Sequence, residues 1–241
     1  MKKYILLIAL LTGQYAGNAQ EITFDTLSVK KYGLTFKNGV VLDLVYEFVY
    51  PTNDTPNTRR IRDLMILDFF GTVDSLIMPL KDASERYEKA ILEDYATQQP
   101  NTKHQYSTQY SAIRIVNNKV LVLMMQQYFD MGGAHGLEPS SYSCYDLVTG
   151  ERLTLDDLVS RENQAKILRL IREQLLVTHS KDISEKATIE NALFMLLPKG
   201  ILFTYNQYWI GSYADGIIRA TIPYSKFRHL LKPSAQQYFY E

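Results

Sequence analysis

The chain has a single cysteine, Cys144, and four histidines among its 241 residues. One cysteine excludes an intrachain disulfide and the cysteine clusters of structural zinc sites. The histidines, His104, His135, His179 and His229, are scattered, with no HExxH motif and no pair at ligand spacing. No metal site is therefore expected. Excess charge of one sign is missing too. Removing Lys2 and Lys3 from the 26 basic residues leaves 24 against 26 acidic ones, a net charge near −2. Such a balance offers no long-range field for nucleic acid or an anionic membrane surface. Phosphate-binding signatures are absent: there is no Walker motif, and no GxGxxG leads from a strand into a helix. No cofactor is expected.

Long apolar runs are confined to the N-terminus. Lys2 and Lys3 form a positive region, Tyr4 to Leu11 is apolar, and Ala16-Gly17-Asn18-Ala19 offers small residues for cleavage after Ala19. The apolar stretch is far shorter than the ~20 residues that span a bilayer, and no cysteine stands at the cleavage site for lipidation. Residues 1–19 are read as a signal peptide and the mature chain as an exported protein, periplasmic or secreted, without a membrane anchor. At 46% hydrophobic and 12% aromatic, the remainder can bury a core without disulfides. Cys144 is read as a buried strand residue rather than a reactive thiol.

What is present is a mixed pattern of strands and helices. Leu42, Leu44, Tyr46, Phe48 and Tyr50 recur with period two. Ile61, Leu64, Met65 and Phe69 share a helical face, and Ala83, Tyr87, Ile91 and Tyr95 form a row at four-residue spacing. From Gln105 to Met131 two extended runs flank Asn117-Asn118, and asparagine tolerates the positive φ of a tight hairpin turn. A strand follows at Ser141 to Leu147. Thr154-Leu155-Asp156-Asp157 then reads as a capping box with Asp in place of Glu, ahead of a helix over Glu162 to Val177. The last third returns to strands, at Ala192 to Leu197, Ile201 to Tyr205 and Ile217 to Ile222, with Pro198-Lys199-Gly200 as a turn. Ser225 to Leu231 is expected as a closing helix. The fold class is α+β, with mainly antiparallel sheets and packed helices.

The most distinctive stretch is Tyr128-Phe129-Asp130-Met131-Gly132-Gly133-Ala134-His135-Gly136. Three glycines around one histidine carry an entropic cost that an ordinary loop has no reason to bear. His135 could serve catalysis, a metal or a partner contact. Its poor companions favour a structural or partner-contacting role. A second feature is the aromatic group Tyr205, Tyr208, Trp209 and Tyr213, since Trp and Tyr combine apolar area with a polar handle that suits protein interfaces and sugar faces. Strands also like aromatics, so a core role is the competing reading. The binding residues expected are Gly132, Gly133, His135, Gly136, Tyr208, Trp209 and Tyr213. No catalytic residue is assigned.

The GGAHG loop, the run Tyr145-Asp146-Leu147-Val148-Thr149-Gly150-Glu151-Arg152-Leu153-Thr154-Leu155-Asp156-Asp157-Leu158, and the closing pattern from Gly200 through Tyr208, Tyr213 and Gly216 to Ile222-Pro223-Tyr224 resemble one family of exported domains. They are similar to the extracytoplasmic domain of the RsiV anti-sigma factor, also found ahead of the catalytic domain in PdaC-type peptidoglycan deacetylases. The resemblance is best from about Gln105 to Leu231. The segment from Ile22 to about Asn101 is a weaker match to the module that usually precedes it, so the resemblance implies two modules, residues 20–101 and 102–241. It implies a fold like part of the actin and heat-shock ATPase superfamily, without ATP use. In the anti-sigma factor the domain binds lysozyme. This chain has neither the deacetylase domain nor the cytoplasmic anti-sigma segment, so those activities are not implied.

Three functional readings follow. The first is a non-enzymatic binding module of the cell envelope, contacting a lysozyme-like protein or a peptidoglycan-derived glycan through the two loops. The second is a peptidoglycan-directed hydrolase with His135 as base and Asp130 or Asp146 as its orienter. The third is a structural envelope component. The oligomeric state is left open.

Overall fold

The computed structural model describes residues 22–71, 77–97, 103–130 and 134–239; the expected signal peptide lies outside them. The first half builds a six-stranded sheet from β1 (Phe24–Thr35), β2 (Val41–Pro51), β3 (His104–Val116), β4 (Val120–Asp130), β5 (Ser140–Asp146) and β6 (Arg152–Leu153), in sequential order. Helices α1 (Pro56–Phe70) and α2 (Leu80–Thr97) connect β2 to β3, the one parallel pair in an otherwise antiparallel sheet. The second half adds α3 (Leu155–Leu158), α4 (Arg161–Thr178) and α5 (Lys181–Lys186). A three-stranded antiparallel sheet follows, β7 (Leu193–Leu197), β8 (Gly200–Tyr205) and β9 (Ile218–Pro223). Short α6 (Tyr224–Phe227) and 3-10 turns at Arg228–Leu230 and Pro233–Tyr238 replace the single closing helix expected there. The α+β class is as expected. Among the described residues, no helix is long and apolar enough to cross a membrane.

Strand alternation explains why there are two cores. On β4, Leu121, Leu123 and Met125 point to one face and Val120 and Val122 to the other. The first set joins Leu42, Leu44, Tyr46 and Phe48 of β2 under α1 and α2. The second joins Cys144, the β7–β9 sheet and Ile167, Ile171 and Leu175 of α4. The two segments expected as separate modules thus share one sheet: β2 pairs with β3 from Val41↔His104 to Glu47↔Tyr110, across the expected boundary. A buried polar network backs this union. Gln109 of β3 donates to the Phe69 carbonyl of α1 (2.7 Å) and accepts from the Tyr87 hydroxyl of α2 and from Gln127 of β4 (3.0 Å).

Local chemistry fixes the turns. Asn117 and Asn118 sit at φ 51° and 53°, as the β3–β4 hairpin requires. Thr154 and Asp157 form the reciprocal capping box, and hydrogen bonding to Thr154 holds the Asp157 carboxyl below its ordinary range. Asp146 accepts from the backbone N–H of Val148 (2.6 Å) and Thr149 (3.0 Å) and from the Tyr238 hydroxyl, which ties the C-terminal turn to β5.

Cys144 is buried on β5, and burial pushes its thiol up to about 12. A thiol held so far above its ordinary value carries about a thousandfold less thiolate at neutral pH, before access is considered. A thiol reagent added to the native protein is expected to label Cys144 only in step with unfolding. Rapid stoichiometric labelling without denaturant would show that the β5–β7 packing opens.

Candidate functional site

After β4 the chain turns back on itself. Phe129 and Leu137 exchange both backbone hydrogen bonds (3.0 and 2.9 Å), and Gln127 N–H donates to the Pro139 carbonyl (3.0 Å). His135 is thereby held at the tip, exposed, while Gly136 is buried against the Tyr128 ring. A Cβ at Gly136 would lie 2.6 Å from the far edge of that ring, so a larger residue here would have to displace the Tyr128 phenol. Gly132 and Gly133 of the same loop lie outside the described residues.

The second loop, residues 206–217, is clamped to this one by two amides. Asn206 accepts from Ser140 N–H and donates to the Ser140 carbonyl, both at 2.9 Å, so its side chain mimics a strand partner for β5. Gln207 accepts from Glu138 N–H (3.0 Å). Farther along, the Asp215 carboxylate accepts from both the N–H and the hydroxyl of Ser212 at 2.7 Å, and these bonds lower its pKa. The loop is therefore ordered by its own polar groups and by Ile210, which is buried in the second core.

Three rings meet where the loops touch. His135 stacks on Tyr213 with centroids 3.6 Å apart and planes 18° from parallel, and Tyr208 completes the group at 6.1 Å from His135 and 6.0 Å from Tyr213. The Tyr208 hydroxyl lies 2.9 Å from His135 Nε2, and His135 Nδ1 lies 3.3 Å from the Gly136 carbonyl. A carbonyl only accepts, so in the neutral ring the proton sits on Nδ1 and Tyr208 donates to Nε2. Tyr208 is 55% exposed yet sits at φ 69°, a conformation that costs a bulky L-residue about 1–2 kcal/mol. Strain at an exposed aromatic that contributes no core packing is a functional signal.

The sequence-predicted residues thus divide. His135, Gly136, Tyr208 and Tyr213 come together. Trp209, 43% exposed, lines a separate open depression with Glu190, Asn191, Ala192 and Leu193. Tyr205 is fully buried, its hydroxyl donating to the Thr188 carbonyl (3.1 Å), so the core reading holds for that member of the aromatic group. Neither bond of His135 goes to a carboxylate: Asp146 caps its own turn at the far end of β5, and Asp130 lies opposite Tyr106 in the sheet register. Tyr128, which opens the distinctive stretch but is not among the expected binding residues, lies against Gly136. Burial chiefly raises its pKa, and the neighbouring Asp130, Glu138 and Tyr213 add to the effect. Among the described residues no group of His, Cys, Asp and Glu could hold a metal.

Chemically, then, the site is an exposed platform of aromatic rings with phenol and imidazole edges, on a two-sheet α+β scaffold. Comparison with known proteins places that scaffold. Residues 156–225 match the family DUF3298, described as a protein of unknown function. No curated protein matches the chain. A member of the DUF3298 family from Bacteroides fragilis has a similar crystal structure, with TM-score 0.73 and 22% identity, covering 88% of this chain and 94% of that one. A DUF3298 family protein from Pseudomonas aeruginosa is similar at TM-score 0.67 and 17% identity, covering 90% and 97%. The likeness extends well beyond the matched segment, into the β1–α2 half. At these identities it is a likeness of fold.

Proposed function

We propose that this chain is an exported, non-enzymatic binding module of the cell envelope, whose ligand docks on the ring cluster of His135, Tyr208 and Tyr213. The observation that supports this reading most is the positive φ of Tyr208: the loop bears backbone strain to present a ring at the surface beside two others. The arrangement of His135 points the same way. Its Nε2 lone pair already receives the Tyr208 hydroxyl, which leaves it poorly placed to take a proton from a nucleophile. The resemblance to the RsiV and PdaC extracytoplasmic domains adds a setting at the cell wall and a ligand class, a lysozyme-like protein or a peptidoglycan-derived glycan. The apolar N-terminal run behind Lys2 and Lys3 adds the route of export.

The test is a pull-down with the mature protein from envelope extract containing peptidoglycan fragments and added lysozyme. His135→Ala and Tyr208→Ala serve as parallel baits. Central aromatic anchors cost about 2 kcal/mol or more on truncation, so capture is expected to fall about 30-fold in each variant. Equal capture by wild type and both variants would remove the cluster from the interface.

A further inference from the structure

The ring cluster is one end of a longer feature. On β3, Tyr106, Thr108 and Tyr110 point to the face opposite Gln105, Ser107 and Gln109, which are buried beneath the helices. Tyr128 of β4 stands opposite Thr108, on the same face. At the other end of that face Val116, Val120 and Val122 are buried under the β7–β9 sheet. That sheet stops short of the β1–β3 side, leaving Tyr106 and Tyr110 each 39% exposed and Tyr32 66% exposed. The β3–β4 register sets Tyr128 diagonally beside Tyr106 and Tyr110, and the Tyr128 phenol interacts electrostatically with Tyr213 and the Tyr110 phenol with Tyr32, so the rings follow one another across the face.

The chemistry of the band is selective. Near the tyrosines Lys30 pairs with Glu47 at 2.7 Å and His104, which stacks on Tyr106, lies 3.3 Å from Asp43, while exposed Arg114 stands on the same face beyond Tyr110. Glu138 adds negative charge near Tyr128. A polyanion would meet repulsion, while an uncharged chain loses nothing. Thr108 stands between Tyr106 and Tyr110, with Val45 of β2 beside it and Ser28 and Ala112 farther out, so the side chains among the rings are small or β-branched rather than Leu, Ile or Phe. Rings that accept an apolar sugar face, edged by hydroxyls that bond its polar rim, suit a saccharide. Tyr106 and Tyr110 alone are about 13 Å apart along the strand, more than a single sugar covers.

We propose that this open face is a binding track for an extended, uncharged glycan, running from the His135–Tyr208–Tyr213 cluster across Tyr128, Tyr106 and Tyr110 toward Tyr32. The proposal rests on the binding-module reading and extends it to one ligand class and a larger surface. Calorimetric titration with chitobiose and chitohexaose tests it, using wild type, His135→Ala, and the doubles Tyr106→Ala/Tyr110→Ala and Tyr106→Phe/Tyr110→Phe. Circular dichroism melts show that each variant is folded.

Wild type is expected to bind the hexamer at least tenfold more tightly than the dimer. The alanine double should lose that advantage, and the phenylalanine double should keep part of it because the rings remain. Affinity independent of chain length, or a hexamer that binds the folded alanine double as well as wild type, overturns the track. If the pull-down then still captures a lysozyme-like protein through His135, the module reading stands without the track. A heparin probe that outcompetes chitohexaose also overturns the proposal, because it would show an anionic ligand.

Discussion

Gly200→Ala is expected to lower the melting temperature by roughly 6–12 °C, corresponding to about 3 kcal/mol for a chain of this size. Gly200 opens β8 after the Pro198-Lys199 turn and pairs with both Leu197 and Pro223. A Cβ there would lie 2.5 Å from the Ile222 carbonyl oxygen and 3.3 Å from the Ile222 carbonyl carbon and Pro223 Cα, all backbone atoms of the neighbouring strand. No side chain can swing away, so either β8 or β9 must shift, and the Tyr224 N–H to Lys199 carbonyl bond (2.8 Å) shifts with them. Overpacking of this kind costs about 1–3 kcal/mol, and more where backbone is the obstacle. Gly33→Ala is the control. Gly33 sits at φ 67°, and a methyl group there would meet nothing within 4 Å, so only conformational strain, about 1 kcal/mol, opposes the change. Thermal melts of the two variants separate the effects; equal small losses in both would show that the β8–β9 spacing relaxes freely.

Much of this architecture is legible in local sequence chemistry because the determinants are local. The period-two run through Leu42, Leu44 and Tyr46, the Asn117-Asn118 turn, and the Thr154–Asp157 box each specify a conformation within a few residues. The ring cluster is different. Its assembly depends on Asn206 and Gln207 reaching back to Ser140 and Glu138, contacts 66 and 69 residues away that no periodicity records. The tyrosine band falls between these cases. Register about the Asn117-Asn118 turn places Tyr128 opposite Thr108, flanked on the same face by Tyr106 and Tyr110, and that much follows from counting. Which part of the face stays open is decided by where β7–β9 ends, a property of the second sheet's packing. Likewise, the parallel β2–β3 pairing joins the two segments that the family resemblance divides.

Buried tyrosines set the alkaline limit of the fold. Burial pushes the Tyr46 and Tyr95 phenols up to about 12, with Glu88 and Asp130 respectively adding to the effect. Tyr87, Tyr145, Tyr205 and Tyr238 are raised further, chiefly by burial, with the Asp68 and Asp146 carboxylates reinforcing Tyr145 and Tyr238. An unfolded phenol titrates near 10. Below that pH both states keep the proton, and these groups make no difference to stability. Above it the unfolded chain releases protons that the native chain retains, so stability falls as pH rises. Each retained proton contributes about 1.4 kcal/mol per pH unit. With several acting together, a typical stability of about 5–15 kcal/mol is exhausted within roughly one to two pH units. Cooperative unfolding is therefore expected between about pH 11 and 12. Phenolate absorbance and far-UV circular dichroism recorded in one titration give the check. The buried set should ionise together as ellipticity is lost. Smooth ionisation of every tyrosine near pH 10, with ellipticity unchanged, would mean that these phenols reach water in the native state.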